Sequence, residues 1–129
     1  NDLEKSLIYC KENYFKDVTI YSCTGKKDDQ NLANLLLCYD YSIDLNITII
    51  SNFKIINFVS GFKEFDSEER QEISIIAPVK DTLITTTNLK FNLNNQTLKS
   101  KSQGISNVAL GNKFSINSSD KIILFRGII

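Results

Sequence analysis

The chain has 129 residues, of which 42% are hydrophobic and 23% are charged, a composition typical of a folded globular protein and not of a disordered one. Fifteen basic residues balance fifteen acidic ones, so no overall positive charge favours nucleic acid or an anionic membrane surface. The apolar runs are far shorter than the roughly 20 residues of a membrane helix. We therefore expect a cytoplasmic protein that binds neither nucleic acid nor membranes.

Histidine is absent, and the three cysteines form no C-x-x-C pair. The lack of histidine excludes Ser-His and Cys-His nucleophile pairs and most zinc sites. Cys10, Cys23 and Cys38 stand in apolar contexts, which favours buried, reduced thiols. Any chemistry must therefore rest on carboxylates, lysines, amides and hydroxyls. The sequence also contains no methionine, so we expect it to be part of a longer chain.

The first part of the chain predicts alternating helices and strands. Asp2 suits a helix N-cap, and the apolar spacing after it predicts a helix over 3–13. A β-branched run predicts a strand over 18–23, a leucine-rich pattern predicts a helix over 29–41, and a second β-branched run predicts a strand over 46–51. Strand, helix and strand with short connections indicate a βαβ unit with parallel strands.

Beyond residue 51 the pattern is typical of antiparallel β structure, because turn residues recur at short intervals and no helical period returns. Residues 54–59 are expected to pair with the preceding strand through a turn at Asn52 and Phe53, and 63–72 to form a charged loop. Further short strands are predicted at 73–77, 83–86, 89–93, 97–99, 113–116 and 122–129. The predicted fold is α+β: a partial α/β (βαβ) layer in residues 1–60, followed by an antiparallel β-sandwich in residues 61–129.

Asp29 is the strongest single candidate for a functional residue. A carboxylate at the start of a helix that follows a strand can bind Mg²⁺ or accept a hydroxyl proton beside a bound phosphate. It is equally explained as a plain helix cap next to Asp28. Lys26 and Lys27 could neutralise phosphate oxygens or simply be solvated.

Two other features have similar alternatives. Asp2 and Lys5 are ordinary capping and surface charges unless their helix also starts at the strand ends near Asp29. The polar stretch 102–107, SQGISN, could read the hydrogen-bonding edge of a heterocycle, or be a loop with a turn glycine.

Several segments together resemble one family. Residues 24–34, TGKKDDQNLAN, resemble the G-G-R-x-D-[HQ]-x-x-A segment of thiamine pyrophosphokinases. The stretches ISIIAP at 73–78, TNLKFNL at 87–93 and QGISN at 103–107 resemble that family's S-l-l-P, T-x-G-L-K-[YF]-x-L and G-I-S-N segments, in the same order. NDLEK at 1–5 is similar to the T-D-x-x-K segment that precedes them.

The resemblance implies transfer of a pyrophosphoryl group from ATP to thiamine, with Mg²⁺, to give thiamine diphosphate and AMP. It also implies a homodimer in which an α/β nucleotide-binding domain precedes a β-sandwich that binds thiamine. By this resemblance Asp2 and Asp29 are the catalytic carboxylates that hold Mg²⁺ and the phosphates or orient the attacking hydroxyl. Lys5 and Lys27 face phosphate.

The same resemblance assigns the thiamine side. Ser106 and Asn107 contact the aminopyrimidine ring, and Gln30 and Ser74 are further thiamine-binding residues.

The sequence departs from the family pattern at named positions. Lys26 replaces a glycine, Lys27 an arginine and Asn88 a glycine, while Val108 stands where bacterial members usually have glutamate. The family's G-D-F-D-S segment, which supplies further carboxylates, is absent, so we expect this chain alone to be inactive.

Two other functions stay open. One is a non-catalytic β-sandwich binding module for a protein or sugar partner. The other is a different phosphotransferase that uses the turn at Asp29.

Overall fold

The computed structural model describes residues 2–22 and 27–129, and these form two helices and seven strands in one sheet. The elements in chain order are α1 (Asp2–Glu12), β1 (Asp17–Tyr21), α2 (Asp28–Tyr41), β2 (Asn46–Ile50), β3 (Lys54–Asp66), β4 (Glu72–Ile76), β5 (Ile84–Thr87), β6 (Asn107–Val108) and β7 (Lys113–Gly127). In this described part, neither helix is long and apolar enough to cross a bilayer.

The predicted βαβ unit is confirmed. Strand β1 pairs in parallel with β2, from Asp17 opposite Asn46 to Tyr21 opposite Ile50, and α2 connects them. Strand β3 then returns antiparallel to β2 through the predicted turn, where the Ser51 hydroxyl oxygen accepts the Lys54 N–H at 3.0 Å. The predicted strand end at Cys23 and the predicted turn at 24–26, which includes Lys26, lie outside the described residues.

Two long strands join the two halves of the fold. The strand order is β1-β2-β3-β7-β4-β6, and β5 also pairs with β7. β3 pairs antiparallel with β7 over both strands' length, with one register shift between Val59 and Gly61, where Gly61 has a φ of 70°. The other edge of β7 pairs with β5 along its first half and with β4 along its second half. This is the predicted α+β class, a partial α/β layer followed by an antiparallel β-sandwich.

The side chains of β7 alternate between two hydrophobic cores, as expected for a strand with both faces covered. Ile122 and Leu124 belong to the β core, and Ile123 and Phe125 belong to the helix core. The buried residues of the β core include Val59, Ile73, Ile75, Ile84, Leu89, Leu93, Phe114, Ile116, Ile122 and Leu124. Those of the helix core are Leu7, Cys38, Leu45, Ile47, Ile49, Phe58 and Ile123.

The end of α2 is tied to β7 by two polar contacts. The Tyr39 hydroxyl donates to the Lys121 carbonyl at 2.8 Å, and the Lys121 Nζ donates to the Ser42 carbonyl at 2.7 Å. Burial, with a smaller effect of the nearby Lys63 charge, lowers the pKa of Lys121. In the helix core beneath, burial raises the pKa of the Cys38 thiol to about 11, so this cysteine is an inert thiol.

Three details of the predicted β region were wrong. Residues 63–66 continue β3 instead of starting a loop, and 113–116 and 122–129 belong largely to the single strand β7. Residues 89–93 and 97–99 form no strand, because side chains satisfy part of their backbone: the Leu89 N–H donates to Asn92 Oδ1 and the Leu93 N–H to Thr86 Oγ1. Their backbone contacts to other strands are isolated, as between the Lys90 N–H and the Val108 carbonyl at 2.9 Å. The division into residues 1–60 and 61–129 stays a prediction, and it falls within β3 beside its register shift.

Candidate functional site

The first of two candidate cavities lies at the carboxyl ends of β1 and β2, where α/β proteins bind ligands. This strand-end crevice has a volume of about 420 Å³. It is bounded by Ile20 near the end of β1 and Ser22 just after it, by Ile49 and Ser51 at the end of β2, and by α2 through Leu35. Most of its lining side chains are apolar. The one charged side chain among the described lining residues, Lys54, is paired with Glu72, so other charges near the crevice come from residues at the helix starts.

Both helices begin at this crevice. Leu3, in the first turn of α1, and Asn31, in the first turns of α2, both line it. Asp2 directly precedes Leu3, and Asp29 lies two residues before Asn31. The condition for a functional Asp2 and Lys5, that their helix start near the strand ends that precede Asp29, is therefore met. Helix N-termini attract anions through unpaired N–H groups and the helix dipole.

Four of the side chains predicted to act on phosphate are described, and these four are exposed. Asp2 and Lys5 lie on α1, Lys27 occupies the N-cap position of α2 without a side-chain capping bond, and Asp29 follows in the first turn. Asp29 Oδ1 accepts the Gln30 N–H at 2.8 Å, and Gln30 Nε2 donates to Asn34 Oδ1 at 2.9 Å. Asp29 is therefore not the N-cap, although its Oδ1 satisfies one N–H of the first turn, and its Oδ2 has no hydrogen bond to any described residue.

The possible metal ligands at the crevice are few. Within residues 2–22 and 27–129, no three acidic, histidine or cysteine side chains come together as a metal site. Mg²⁺ commonly binds through one or two carboxylates together with substrate phosphates. The described residues therefore form no all-protein metal cage, and Asp2 and Asp29 each offer a single carboxylate at the start of a helix.

The second cavity lies in the β region and has a volume of about 310 Å³. We call it the amide-lined cavity, because its polar side chains are four amides and one hydroxyl, while the described residues around it contribute no charged side chain. Its polar members are Thr86, Asn92, Gln96, Gln103 and Asn107, and its apolar members include Ile75, Phe91, Leu93, Leu98 and Ile105. The site is suited to an uncharged, partly polar ring.

Gly104 allows the 102–107 loop to lie directly against β4. The Ile75 N–H donates to the Gly104 carbonyl at 2.9 Å. A Cβ at position 104 would lie 2.3 Å from the Ile75 carbonyl oxygen, so any other residue would push the loop away. The Ser106 N–H donates to Ser74 Oγ at 2.9 Å, and Ser106 itself adopts a φ of 62°.

Asn107 holds the segment that carries Phe91. Its Oδ1 accepts the Phe91 N–H at 3.0 Å, and its Nδ2 donates to the Phe91 carbonyl at 2.8 Å. The same Oδ1 accepts the Val108 N–H at 2.9 Å. Asn107 therefore fixes the backbone at Phe91, whose ring is 64% exposed beside the cavity and has Lys90 Nζ 5.4 Å from its centre.

The structure brings together three of the four residues predicted to bind thiamine. Ser74 is buried under the loop, Ser106 is exposed beside it, and Asn107 lines the cavity. Gln30 is instead on α2, next to the residues of the strand-end crevice.

Two residues of the amide-lined cavity had no individual prediction. Asn92 and Gln96 belong to an asparagine-rich stretch between apolar positions, NLNNQ at 92–96. That polar run was the one signal in the sequence that could have identified them.

A family model for "Thiamin pyrophosphokinase, substrate-binding domain" matches residues 55–125, more than half of the chain. The chain belongs to the thiamin pyrophosphokinase family. Every residue that lines the amide-lined cavity falls within this substrate-binding domain. The helices and the strands β1 and β2 precede it.

Solved structures of family members share the fold. The thiamine pyrophosphokinase of Bacillus subtilis superposes with a TM-score of 0.83 at 26% identity, over 98% of this chain and 62% of that one. The thiamin pyrophosphokinase of Geobacillus thermodenitrificans gives 0.81 at 21% identity, over 100% and 62%, and that of Candida albicans gives 0.73 at 18% identity, over 88% and 45%. This chain thus spans less than two thirds of the length of these relatives. No curated protein sequence matches the chain.

Proposed function

We propose that this chain is part of a thiamine diphosphokinase, which transfers a pyrophosphoryl group from ATP to thiamine and yields thiamine diphosphate and AMP. The observation that carries the proposal is the amide-lined cavity, which lies entirely within the substrate-binding domain of this family. The protein is then a cytoplasmic, ATP-dependent pyrophosphotransferase with thiamine as its acceptor.

On the thiamine side, the uncharged cavity suits the aminopyrimidine ring. Its volume of about 310 Å³ accommodates one heterocycle between apolar side chains such as Ile75 and Leu93. Phe91 supplies an exposed aromatic face at the edge of the cavity, in a chain that has no tryptophan. Ser106 and Asn107 stay our candidates for contacts with the ring, with Ser74 supporting Ser106 through its hydrogen bond.

On the phosphate side, the strand-end crevice and the two helix starts suit the nucleotide. Asp2 and Asp29 would hold Mg²⁺ together with the phosphates of ATP, and Lys5 and Lys27 would face phosphate oxygens. Gln30, next to Asp29, would approach thiamine from this side. Mg²⁺ would neutralise charge on the transferred group. Phosphoryl transfer depends mainly on such positioning and charge neutralisation, so it does not need histidine.

The isolated chain is expected to bind thiamine and to turn over little or no substrate. It covers 62% of the Bacillus subtilis enzyme, and we propose that activity needs the whole enzyme as a homodimer. AMP release from this chain with ATP, Mg²⁺ and thiamine should stay at background. A clear thiamine-dependent signal would show that the carboxylates present here are sufficient.

Ligand binding tests the proposal without requiring turnover. Thiamine should raise the melting temperature of the chain, because a ligand that binds the native state stabilises it by mass action. A ring without a ring-nitrogen acceptor, such as indole, should not. A chain that is stabilised by sugars or a protein partner but not by thiamine would instead be a non-catalytic binding module.

Two variants distinguish the thiamine side of the proposed site from its phosphate side. Ser106→Ala should weaken thiamine binding and leave the effect of ATP with Mg²⁺ unchanged. Asp29→Asn should do the opposite, since it removes a charge at the helix start and lies outside the amide-lined cavity. Nucleotide binding that is sensitive to Asp29 in a chain indifferent to thiamine would indicate a different phosphotransferase.

A further inference from the structure

In each amide side chain of the amide-lined cavity, the oxygen accepts a hydrogen bond from another residue of the protein. Asn92 Oδ1 accepts from the Leu89 N–H and from the Thr86 hydroxyl, both at 3.1 Å. Gln96 Oε1 accepts the Asn94 N–H at 3.0 Å, and Gln103 Oε1 accepts the Lys99 N–H. A backbone N–H can only donate, so the atom that faces it must be the amide oxygen. The orientation of these three amides is therefore fixed by the chain.

The NH₂ groups of the same side chains are left for a ligand. Asn92 Nδ2, Gln96 Nε2 and Gln103 Nε2 donate to no residue within 2–22 or 27–129. All three side chains are exposed, so water satisfies these donors when the cavity is empty. Each can exchange that water for an acceptor on a bound molecule.

The other two polar side chains of the cavity, Thr86 and Asn107, use their oxygens in hydrogen bonds within the protein. Thr86 Oγ1 donates to Asn92 and accepts the Leu93 N–H at 2.9 Å. Asn107 Oδ1 already accepts two backbone N–H groups. Among the side chains of the described residues, the cavity therefore presents three NH₂ groups that donate to no protein atom, while each amide oxygen already accepts at least one hydrogen bond.

We infer that Asn92, Gln96 and Gln103 are specificity-determining residues that select a heteroaromatic ring by its hydrogen-bond acceptors. For thiamine, an identification that rests on the proposed function, these acceptors are the ring nitrogens of the aminopyrimidine and not its amino group. A ring with N–H groups at the same edge would place donor against donor and gain no hydrogen bond from these side chains. Such rings should therefore bind more weakly than rings that present acceptors there.

Three small rings of similar size test this selection directly. Pyrimidine has two acceptors, pyrrole has one donor, and benzene has neither. In ¹⁵N-labelled protein, pyrimidine should shift the side-chain NH₂ signals of Asn92, Gln96 and Gln103 and bind at least about fivefold more tightly than pyrrole or benzene. Equal binding of the three rings, or binding of none, would overturn the inference.

Gln103→Glu tests one residue without removing its structural contact. A carboxylate oxygen still accepts the Lys99 N–H, but the NH₂ donor becomes an acceptor. Pyrimidine and thiamine should each bind about tenfold more weakly. Asn94→Asp is the matched control, because it adds the same charge nearby at a residue that does not line the cavity and whose contact to Gln96 is made by its backbone. Equal losses in both variants would show a charge effect and contradict the inference.

The inference and the proposed function fail separately. If pyrimidine binds as expected and thiamine does not, selection by the three NH₂ donors is supported and thiamine is wrong as the proposed substrate. If thiamine binds and Gln103→Glu leaves its affinity unchanged, the proposed acceptor stands and the selection by these donors is wrong.

Discussion

Gly104→Ala should be one of the most damaging small substitutions in this protein. The new methyl carbon would lie 2.3 Å from the Ile75 carbonyl oxygen, so the loop or β4 must move by about 1 Å to reach the 3.4 Å of an ordinary contact. Ile75 is 3% exposed and is held by β7 on its other side, so the loop has to yield. That movement breaks the 2.9 Å bond from the Ile75 N–H to the Gly104 carbonyl.

The expected cost combines two effects. A buried N–H left without an acceptor costs about 1–3 kcal/mol, and overpacking of a close contact adds about 1–3 kcal/mol. Partial relaxation reduces the sum, so we expect a loss of about 2–4 kcal/mol in the free energy of unfolding. Because Gln103 and Ile105 flank this residue and line the cavity, the affinity for thiamine should fall as well.

Urea denaturation followed by circular dichroism measures this loss, and Gly111→Ala provides the control. A Cβ at Gly111 would meet just the end of the Asn88 side chain, at 3.4 Å, so its free energy of unfolding should change by less than about 0.5 kcal/mol. If Gly104→Ala is as stable as Gly111→Ala, the close approach of the loop to β4 is not a constraint and the reasoning is refuted.

Three further predictions concern single residues. Tyr14 is 85% exposed with a φ of 61° at the end of α1, so Tyr14→Gly should stabilise the protein by about 1 kcal/mol in urea denaturation, and Tyr14→Ala, which keeps the Cβ, should not. Burial raises the pKa of the Cys38 thiol from 9.0 to about 11, so the unfolded chain loses this proton at lower pH than the folded chain. The free energy of unfolding should therefore fall between pH 9 and pH 11 by about 2 kcal/mol more in the wild type than in Cys38→Ala. Parallel pH curves for the two proteins would contradict this. Asn107→Ala removes the contacts to the Phe91 backbone and should cost about 1–3 kcal/mol of stability and weaken thiamine binding in calorimetry, whereas Asn107→Asp, which keeps the acceptor, should lose less.

The sequence predicted the α/β layer well because its signals are local. The β-branched runs, the leucine period of α2 and the turn at Asn52 and Phe53 each specify an element within a few residues. The middle of β7 has no such signal, since NSSD at 117–120 is typical of a turn. Ser118 is nevertheless in the strand, because it lies opposite Gly61 on one side and Ile84 on the other. Pairing with two distant segments overrides the local preference.

In the candidate site, too, the residues that are adjacent in the chain were predicted from the sequence, and those that folding brings together were not. The 102–107 loop was identified in the sequence through glycine and polar residues that are adjacent in the chain. The positions of Asn92 and Gln96 depend on which backbone groups their oxygens reach, such as the Leu89 N–H and the Asn94 N–H. These contacts are local, but the segment reaches the cavity through contacts with β5 that no spacing rule in the sequence anticipates, such as the Thr86 N–H to the Leu93 carbonyl at 2.9 Å.

The alternation of β7 between two cores has a consequence for how the protein folds. Ile123 and Phe125 complete the helix core, and Ile122 and Leu124 complete the β core, so neither core closes before β7 has paired with β3. Contacts between segments so far apart in the chain are slow to form. We therefore expect the helix core to be completed only after β7 has left the ribosome. We expect both halves of the molecule to become structured in one late, concerted step.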